Sequence, residues 1–469
     1  MTILDDLAAA IGQDHVLTGN DTKKWCVDWT GDYTLAPLAV LRPANTAEVA
    51  AILKIANDAK TPIIPVSGNT GLTGATSNVG GLMLSVDRMN KVRSMDPDAR
   101  SIIVEAGVVL SSIHEAADAH DLIFPLTFGA KGTAMIGGAL STNAGGSNVL
   151  RYGNTRDLCL GVEVVLADGR IMNIMCELHK DNSGYNLKHL MIGAEGTLGV
   201  ITAAVLKLHR KPRAYATAMV AVPSIEDGLS LLNTVQDASG GAVEAFEYMP
   251  RSYINRHLER VEGARQPFDE AYDVNVMIEV GATAPKDATP TDTGEVPVVA
   301  QLEETLAAMF EDGRVIDAVV AQNDAQRTEM WARREAAGQI LFDPGIAVNT
   351  DIAVPLSKVG PVLREITARL KQLDPDVTEI VVSHLGDGNI HHTAYPRRNS
   401  PDVMKAMVGI VEDCVQEVAG SFSAEHGVGV SKLETMRRRK DPVALDVMRA
   451  VKATFDPNGI MNPGKVIPT

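Results

Sequence analysis

The chain has 469 residues, 45% of them hydrophobic and 22% charged, an ordinary globular composition but too long for one compact core, so two or three domains are expected. A formal charge of −16 argues against nucleic acid as a partner, because acidic surfaces repel phosphates. No apolar run is long enough to span a bilayer, and residues 1–10 carry Asp5 and Asp6 without a basic n-region, so the cytoplasm or another interior space is the expected compartment.

In chain order, Leu38 to Leu41 reads as a strand, and Thr46 as the cap of a helix with apolar face Val49, Ile52, Leu53 and Ala56. Pro62 to Val66, Gly81 to Val86 and Ile102 to Ala106 read as strands, and Ser111 to His120 as a helix. Val162 to Leu166 and Ile171 to Ile174 form a hairpin around Asp168-Gly169, and Val200 to Leu208 is a further strand. Lys211-Pro212-Arg213 reads as a domain boundary. Beyond it come a strand at Ala216 to Val222, a helix capped by Ser224 to about Asp237, and a strand at Val243 to Tyr248. Gly281 to Pro297, rich in Pro, Thr, Asp and Gly, reads as a surface loop. Strands follow at Val315 to Ala321 and Ile346 to Val354, with helices at Gln322 to Leu341, Leu356 to Leu373 and Pro401 to Val418. The class is α+β rather than a regular βαβ ladder.

Cys26, Cys159, Cys176 and Cys414 are scattered and form no C-x-x-C pair, so four buried thiols are expected rather than disulfides or a thiolate metal site. Two glycine clusters stand out, residues 65–75 (P-V-S-G-N-T-G-L-T-G-A) and 132–146 (G-T-A-M-I-G-G-A-L-S-T-N-A-G-G). Glycine permits positive φ and lets backbone N–H groups converge on an anion. Neither cluster is a G-x-x-x-x-G-K-[ST] loop or a G-x-G-x-x-G fingerprint. The bland reading is two glycine-rich turns with no ligand. Because each such glycine costs roughly 0.5–1 kcal/mol relative to alanine inside regular structure, so many in two segments imply a constraint.

These clusters belong to a longer series: Pro125-Leu126 before Gly129-Ala130-Lys131-Gly132, then Arg151-Tyr152-Gly153, and residues 161–169 (G-V-E-V-V-L-A-D-G). Residues 180–187 (K-D-N-S-G-Y-N-L), 192–201 (I-G-A-E-G-T-L-G-V-I) and 455–465 (F-D-P-N-G-I-M-N-P-G-K) complete it. From about Pro37 to Lys465 the chain resembles the FAD-binding PCMH-type flavoproteins of the vanillyl-alcohol oxidase family, in their D-2-hydroxyglutarate and D-lactate dehydrogenase branch. The resemblance implies a two-subdomain FAD-binding domain at 1–212. It also implies an α+β substrate (cap) domain with an antiparallel sheet at 213–420, and a C-terminal segment, 421–469, returning to the flavin. It assigns Ser67, Gly68, Asn69, Thr70, Gly71 and Leu72 to the pyrophosphate. Gly137, Gly138, Ser141, Thr142 and Ala144 fall to the flavin and ribityl chain, Val200 and Ile201 to the adenine side, and Asn462 to the flavin from the C-terminus, with Pro125 a further cofactor-binding residue. Some relatives attach the flavin covalently through a histidine in the pyrophosphate loop. No histidine lies between Thr61 and Asn78, so non-covalent FAD is expected.

Residues 383–392 (S-H-L-G-D-G-N-I-H-H) place Asp387-Gly388 as a two-residue turn, pairing His384 with His391 on one face and turning His392 to the other. Glu425, in Ser423-Ala424-Glu425-His426-Gly427, completes a His/His/Glu set of the kind used by catalytic zinc and some non-haem iron sites. The resemblance assigns His384, His391 and Glu425 as ligands of a divalent metal, zinc first with manganese or iron open, and His426 as general base. Arg334, in Trp331-Ala332-Arg333-Arg334-Glu335, aligns with the family's substrate arginine, and Arg333 is expected to be a solvated helical arginine. Hydroxyglutarate-type members carry Thr or Ser, Lys and Asn where this chain has Gly338, Asn349 and Thr393, which weakens the case for a second substrate carboxylate.

The reading is a dehydrogenase that converts a D-2-hydroxy acid to the 2-oxo acid with metal assistance. Electrons then pass to an external acceptor, whether quinone, cytochrome or electron-transfer flavoprotein. No nucleic acid and no membrane span are expected, and a homodimer is an option. Three alternatives stay open: a flavin oxidase using oxygen, a His/His/Glu metallohydrolase with merely structural glycines, and a flavin-binding electron-transfer module without substrate.

Overall fold

The structure is a computed structural model that describes residues 2–341, 346–398 and 400–468. It divides into two units, one of residues 1–145, 153–210 and 425–469, the other of residues 146–152 and 211–424. Both mix helices with sheets, in the α+β class.

In the first unit, a four-stranded sheet runs in the order Val16–Leu17, Ala39–Leu41, Leu82–Ser85, Ile63–Val66, with the last three strands parallel. The helix Thr46–Asp58 packs Val49, Ile52, Leu53 and Ala56, all fully buried, into its core. Its cap is Asn45, one residue before the expected Thr46, and the Asn45 side chain accepts from the Glu48 amide. A five-stranded antiparallel sheet follows, in the order Ile171–Ile174, Cys159–Val165, Val200–Lys207, Ser101–Glu105, Val92–Asp96. Val165, Ala167 and Val200 join the same core as the first sheet. The C-terminal segment runs beside Ile63, whose amide donates to the Ile460 carbonyl and whose carbonyl accepts from the Asn462 amide.

The second unit is built on a seven-stranded antiparallel sheet. Its order is Asp317–Val320, Ala214–Ala221, Val274–Ala282, Val243–Pro250, Thr378–His384, Asn389–Tyr395, Val348–Ala353. One face packs against the helices Ile225–Ser239, Pro297–Glu311, Val359–Leu373 and Pro401–Glu417 through residues such as Phe246, Leu302, Ile366, Ile390 and Met407. The other face packs Met249, Met277 and Val382 against Tyr253, Met330 and Ile340 of the helices Arg251–Arg260, Asp324–Glu335 and Ala337–Leu341.

Three expectations change. The helix expected over 322–341 is broken, with Ala336 capping Asp324–Glu335 before Ala337–Leu341 begins. Tertiary contact explains the break: the buried Tyr253 hydroxyl donates to the carbonyls of Arg333 (2.8 Å) and Arg334 (3.3 Å), which in an unbroken helix accept from residues 337 and 338. The stretch 281–297 is only partly a loop, since Gly281 and Ala282 end a strand, Pro285–Ala288 forms a helical turn and Pro297 opens a helix. Of the four cysteines, all of them free, Cys159 and Cys414 are buried while Cys26 and Cys176 are only half-buried. Among the described residues no helix is long and apolar enough to cross a membrane.

Candidate active site

In the first unit, residues 67–72 leave the strand Ile63–Val66 as an irregular, half-exposed loop. Among the described residues no protein acceptor takes the backbone N–H groups of residues 67 to 72. Asn69 sits in the left-handed region (φ 54°), and its side chain ties the loop down by donating to the Val27 carbonyl and accepting from Thr76. Gly68 is obligatory for space, because a Cβ there would lie 2.4 Å from the Thr133 carbonyl oxygen; at Gly71 a Cβ would meet nothing within 4 Å. Gly137 and Gly138, in the helix Ile136–Thr142, back onto Ser67. Ser141 and Thr142 turn their hydroxyls onto the carbonyls of Gly137 and Gly138, at 2.7 and 3.2 Å. Ala144 follows the helix, and Pro125 is buried ahead of it. Val200 and Ile201 are buried at the start of their strand.

Asn462, 2% exposed, donates to the carbonyls of Ala75 (3.0 Å) and Glu195 (2.7 Å), while its Oδ1 is buried with no hydrogen-bond partner among the described residues. Glu195, within the 192–201 segment, had no role legible in the sequence. Its carboxylate accepts from the amides of Val428 (2.7 Å) and Gly429 (2.9 Å), fixing the turn that follows His426. Burial raises the Glu195 pKa against the opposing pull of those amides. Thr73 donates to the His426 carbonyl at 3.2 Å, and the Glu425 carboxylate lies over Gly145, 2.6 Å from where a Cβ would stand.

In the second unit, strand parity gathers His384, His391, Glu247 and Asp351 on the face that also carries Val382 and Met249. The hairpin register differs from expectation. His384 pairs with Asn389 across a four-residue turn, Leu385 to Gly388, instead of with His391 across two residues. Leu385 is fully buried in the core of the opposite face, which draws it out of the ladder, and Gly388 (φ 81°) closes the turn. A slip of two residues keeps every side chain on its face, so His384 and His391 become diagonal neighbours. Their rings lie 5.4 Å apart at 80°. His392 faces the other way and pairs with Glu379 at 2.8 Å.

Each of the two imidazoles has a buried carboxylate behind it. His384 Nδ1 is 2.8 Å from Glu247 Oε1, and His391 Nδ1 is 3.6 Å from Asp351 Oδ1. Asp351 also accepts from the Asn389 amide nitrogen at 2.9 Å. Arg334 donates through Nε to Glu247 Oε2 at 2.5 Å. Burial by itself would raise the Glu247 pKa, but Arg334 and His384 outweigh it and bring it to about 2. Arg333 is not solvated as expected; it is 3% exposed, held by the Arg265 carbonyl and near Glu329, and burial lowers its pKa. Glu247 and Asp351 were missed, although Glu244 and Glu247 do stand out in the sequence as charges inside an apolar strand.

Residues 37–175 match the family described as FAD binding domain, and residues 211–466 match FAD linked oxidases, C-terminal domain. The chain belongs to the FAD-linked oxidases. This FAD-linked oxidase is 35% identical over 474 residues to "D-2-hydroxyglutarate dehydrogenase, mitochondrial" of Bos taurus, covering 99% of this chain and 84% of the relative. It is 32% identical over 471 residues to D-2-hydroxyglutarate dehydrogenase of Stutzerimonas stutzeri, covering 99% and 98%. Its fold is similar to that of p-cresol methylhydroxylase, with a TM-score of 0.76 at 16% identity over 99% of this chain and 96% of the other. The first unit fits the dinucleotide of such an oxidase: its uncommitted loop amides suit a pyrophosphate, and the orphaned Asn462 Oδ1 offers an acceptor. The second unit fits a cation, because His384 carries the hydrogen-bonded carboxylate backing of a metal-ligating histidine and His391, on the same face, has a carboxylate 3.6 Å from its Nδ1.

Proposed function

We propose that this FAD-linked oxidase is a dehydrogenase of D-2-hydroxy acids, forming the 2-oxo acid and passing electrons to an external acceptor. The observation that carries the reading is the buried group Arg334–Glu247–His384 with His391 on the same face, in a chain with an FAD-binding domain. It sets a carboxylate-binding guanidinium beside two imidazoles suited to a cation. Bound FAD supplies a two-electron acceptor, and a divalent cation, zinc first, supplies a Lewis acid that lowers a hydroxyl pKa. His384, His391 and Glu425 are the assigned ligands of that cation. Arg334 binds and orients the substrate carboxylate, and His426 takes the hydroxyl proton. Ser67 to Leu72 hold the pyrophosphate, with Pro125, Gly137, Gly138, Ser141, Thr142, Ala144, Val200, Ile201 and Asn462 around the rest of the dinucleotide.

The relatives named above act on hydroxyglutarate, a dicarboxylate, by their names. Asn349 and Thr393 favour a different tail for this chain. They pair across the sheet, and the Thr393 hydroxyl donates to Asn349 Oδ1 at 2.8 Å. This neutral pair occupies the positions where hydroxyglutarate-type members carry Lys and Asn. A second carboxylate would lose a charged partner there, so a monocarboxylate or a neutral polar tail is favoured. The test is an anaerobic screen of D- and L-2-hydroxy acids, following flavin absorbance. Bleaching by D-lactate-like acids in preference to D-2-hydroxyglutarate is expected. Bleaching only by L acids, or by no hydroxy acid, overturns the reading.

A further inference from the structure

Glu247 is fully buried in the strand Val243–Pro250, with the neighbouring Phe246, Tyr248 and Met249 packed into apolar cores. A buried ion pair is weak support for stability, since well-packed hydrophobic residues of similar volume often do as well or better. How Glu247 uses its oxygens is therefore informative. Oε2 accepts from Arg334 Nε at 2.5 Å, and Oε1 meets His384 Nδ1 at 2.8 Å. Arg334 Nη2 stands 3.3 and 3.4 Å from the two ring nitrogens of His384, near-equal distances that place it across the ring and not along either lone pair. A carboxylate at Nδ1 holds the ring proton there and leaves Nε2 as the basic nitrogen.

Glu279 provides a contrast on the next strand. It too is buried, but it accepts from Thr217, from Arg327 twice and from Trp331, all at 2.7 Å, which clamps the helix Asp324–Glu335 to the sheet. That helix is already fastened one turn before Arg334 and two turns before it. Glu247 is not required as another fastener.

We infer that Glu247 is a positioning residue that couples the carboxylate-anchoring arginine to the cation-binding histidine: one carboxylate orients both Arg334 and His384, so cation affinity and hydroxy-acid affinity depend on it together. This rests on the proposed roles of Arg334 and His384.

The test uses the full-length holoenzyme and its Glu247→Gln and Glu247→Asp variants. Affinity for Zn²⁺ and Mn²⁺ is read by equilibrium competition with a chromophoric chelator, KM and kcat with the best D-2-hydroxy acid, and flavin content by absorbance. In Glu247→Gln, cation affinity should fall about 10- to 100-fold and KM should rise, with flavin content unchanged. Glu247→Asp, which keeps the charge but reaches less far, should lie between wild type and Gln in both. Wild-type cation affinity in both variants, or a change in cation affinity without a change in KM, overturns the coupling and leaves the proposed function standing. Failure of the wild-type protein to bind either cation overturns the coupling and removes the cation from the proposed function, whose dehydrogenase reading the anaerobic screen decides separately. Should Glu247→Gln not fold, Glu247→Asp decides alone: weaker cation binding with raised KM supports the coupling, and wild-type values overturn it.

Discussion

Arg333 and Arg334 leave one helix about 100° apart, and the difference sends them into separate surroundings. Arg334 reaches Glu247 and the His384 ring, whereas Arg333 reaches the Arg265 carbonyl. Both are buried, so charge alone did not distinguish them. Replacing Arg334 with Lys keeps the charge but removes the planar fork. Charged hydrogen bonds contribute about 1.5–3 kcal/mol, so KM for the hydroxy acid should rise about 10- to 100-fold, read from steady-state kinetics. Replacing His426 with Ala removes the proposed base. Flavin reduction in anaerobic stopped flow should slow by about 10²- to 10⁴-fold while FAD stays bound, and an unchanged rate removes His426 from that role.

Single elements set the spacing of these groups. The hairpin Thr378–His384 and Asn389–Tyr395 keeps both histidines on one face because its slip from the expected register is even. Gly388 makes that turn possible, for a Cβ there would stand 2.2 Å from the Val354 carbonyl oxygen. Gly388→Ala should destabilise the protein by about 1–3 kcal/mol from its backbone conformation alone, measured by denaturant unfolding, with further loss from the clash. In the first unit, Glu163 accepts from Thr46 (2.6 Å), Thr202 (2.9 Å) and Arg93 (3.1 Å), tying the helix Thr46–Asp58 to the five-stranded sheet. Burial opposes its charge, but these hydrogen bonds prevail and hold its pKa below the ordinary 4.5. A depressed carboxylate contributes stability above its unfolded pKa and loses it as pH falls through the folded value. The melting-temperature gap between wild type and Glu163→Gln should therefore be full at pH 7 and shrink below pH 4.5. A gap that widens with acid contradicts this assignment.

For the whole molecule, a net charge of −16 is compatible with the proposed anionic substrate, because Arg334, the arginine proposed to bind it, is local and buried. The two functional groups are also separable by experiment. A chelator should stop turnover without bleaching the flavin absorbance. Turnover that survives chelation removes the cation from the reaction. Loss of flavin on chelation contradicts the assignment of the pyrophosphate to the loop amides of residues 67–72.

Much of this was legible along the chain. Short apolar runs and period-3.6 patterns located most of the strands and helices, such as Ile63–Val66 and Ile225–Ser239 with its Ser224 cap, because apolar patterning and capping are local properties. Glycine spacing marked the loop at residues 67–72, and histidine spacing marked one face of a hairpin, since side-chain parity survives an even slip. Tertiary structure alone decided the break at Ala336, the burial of Arg333, and the placing of Glu247 and Asp351 beside His384 and His391 in one unit and of Glu195 beside the turn after His426 in the other. Those outcomes depend on Tyr253, Leu385 and backbone amides distant in sequence, and a buried carboxylate takes its meaning from whichever partners the fold brings to it.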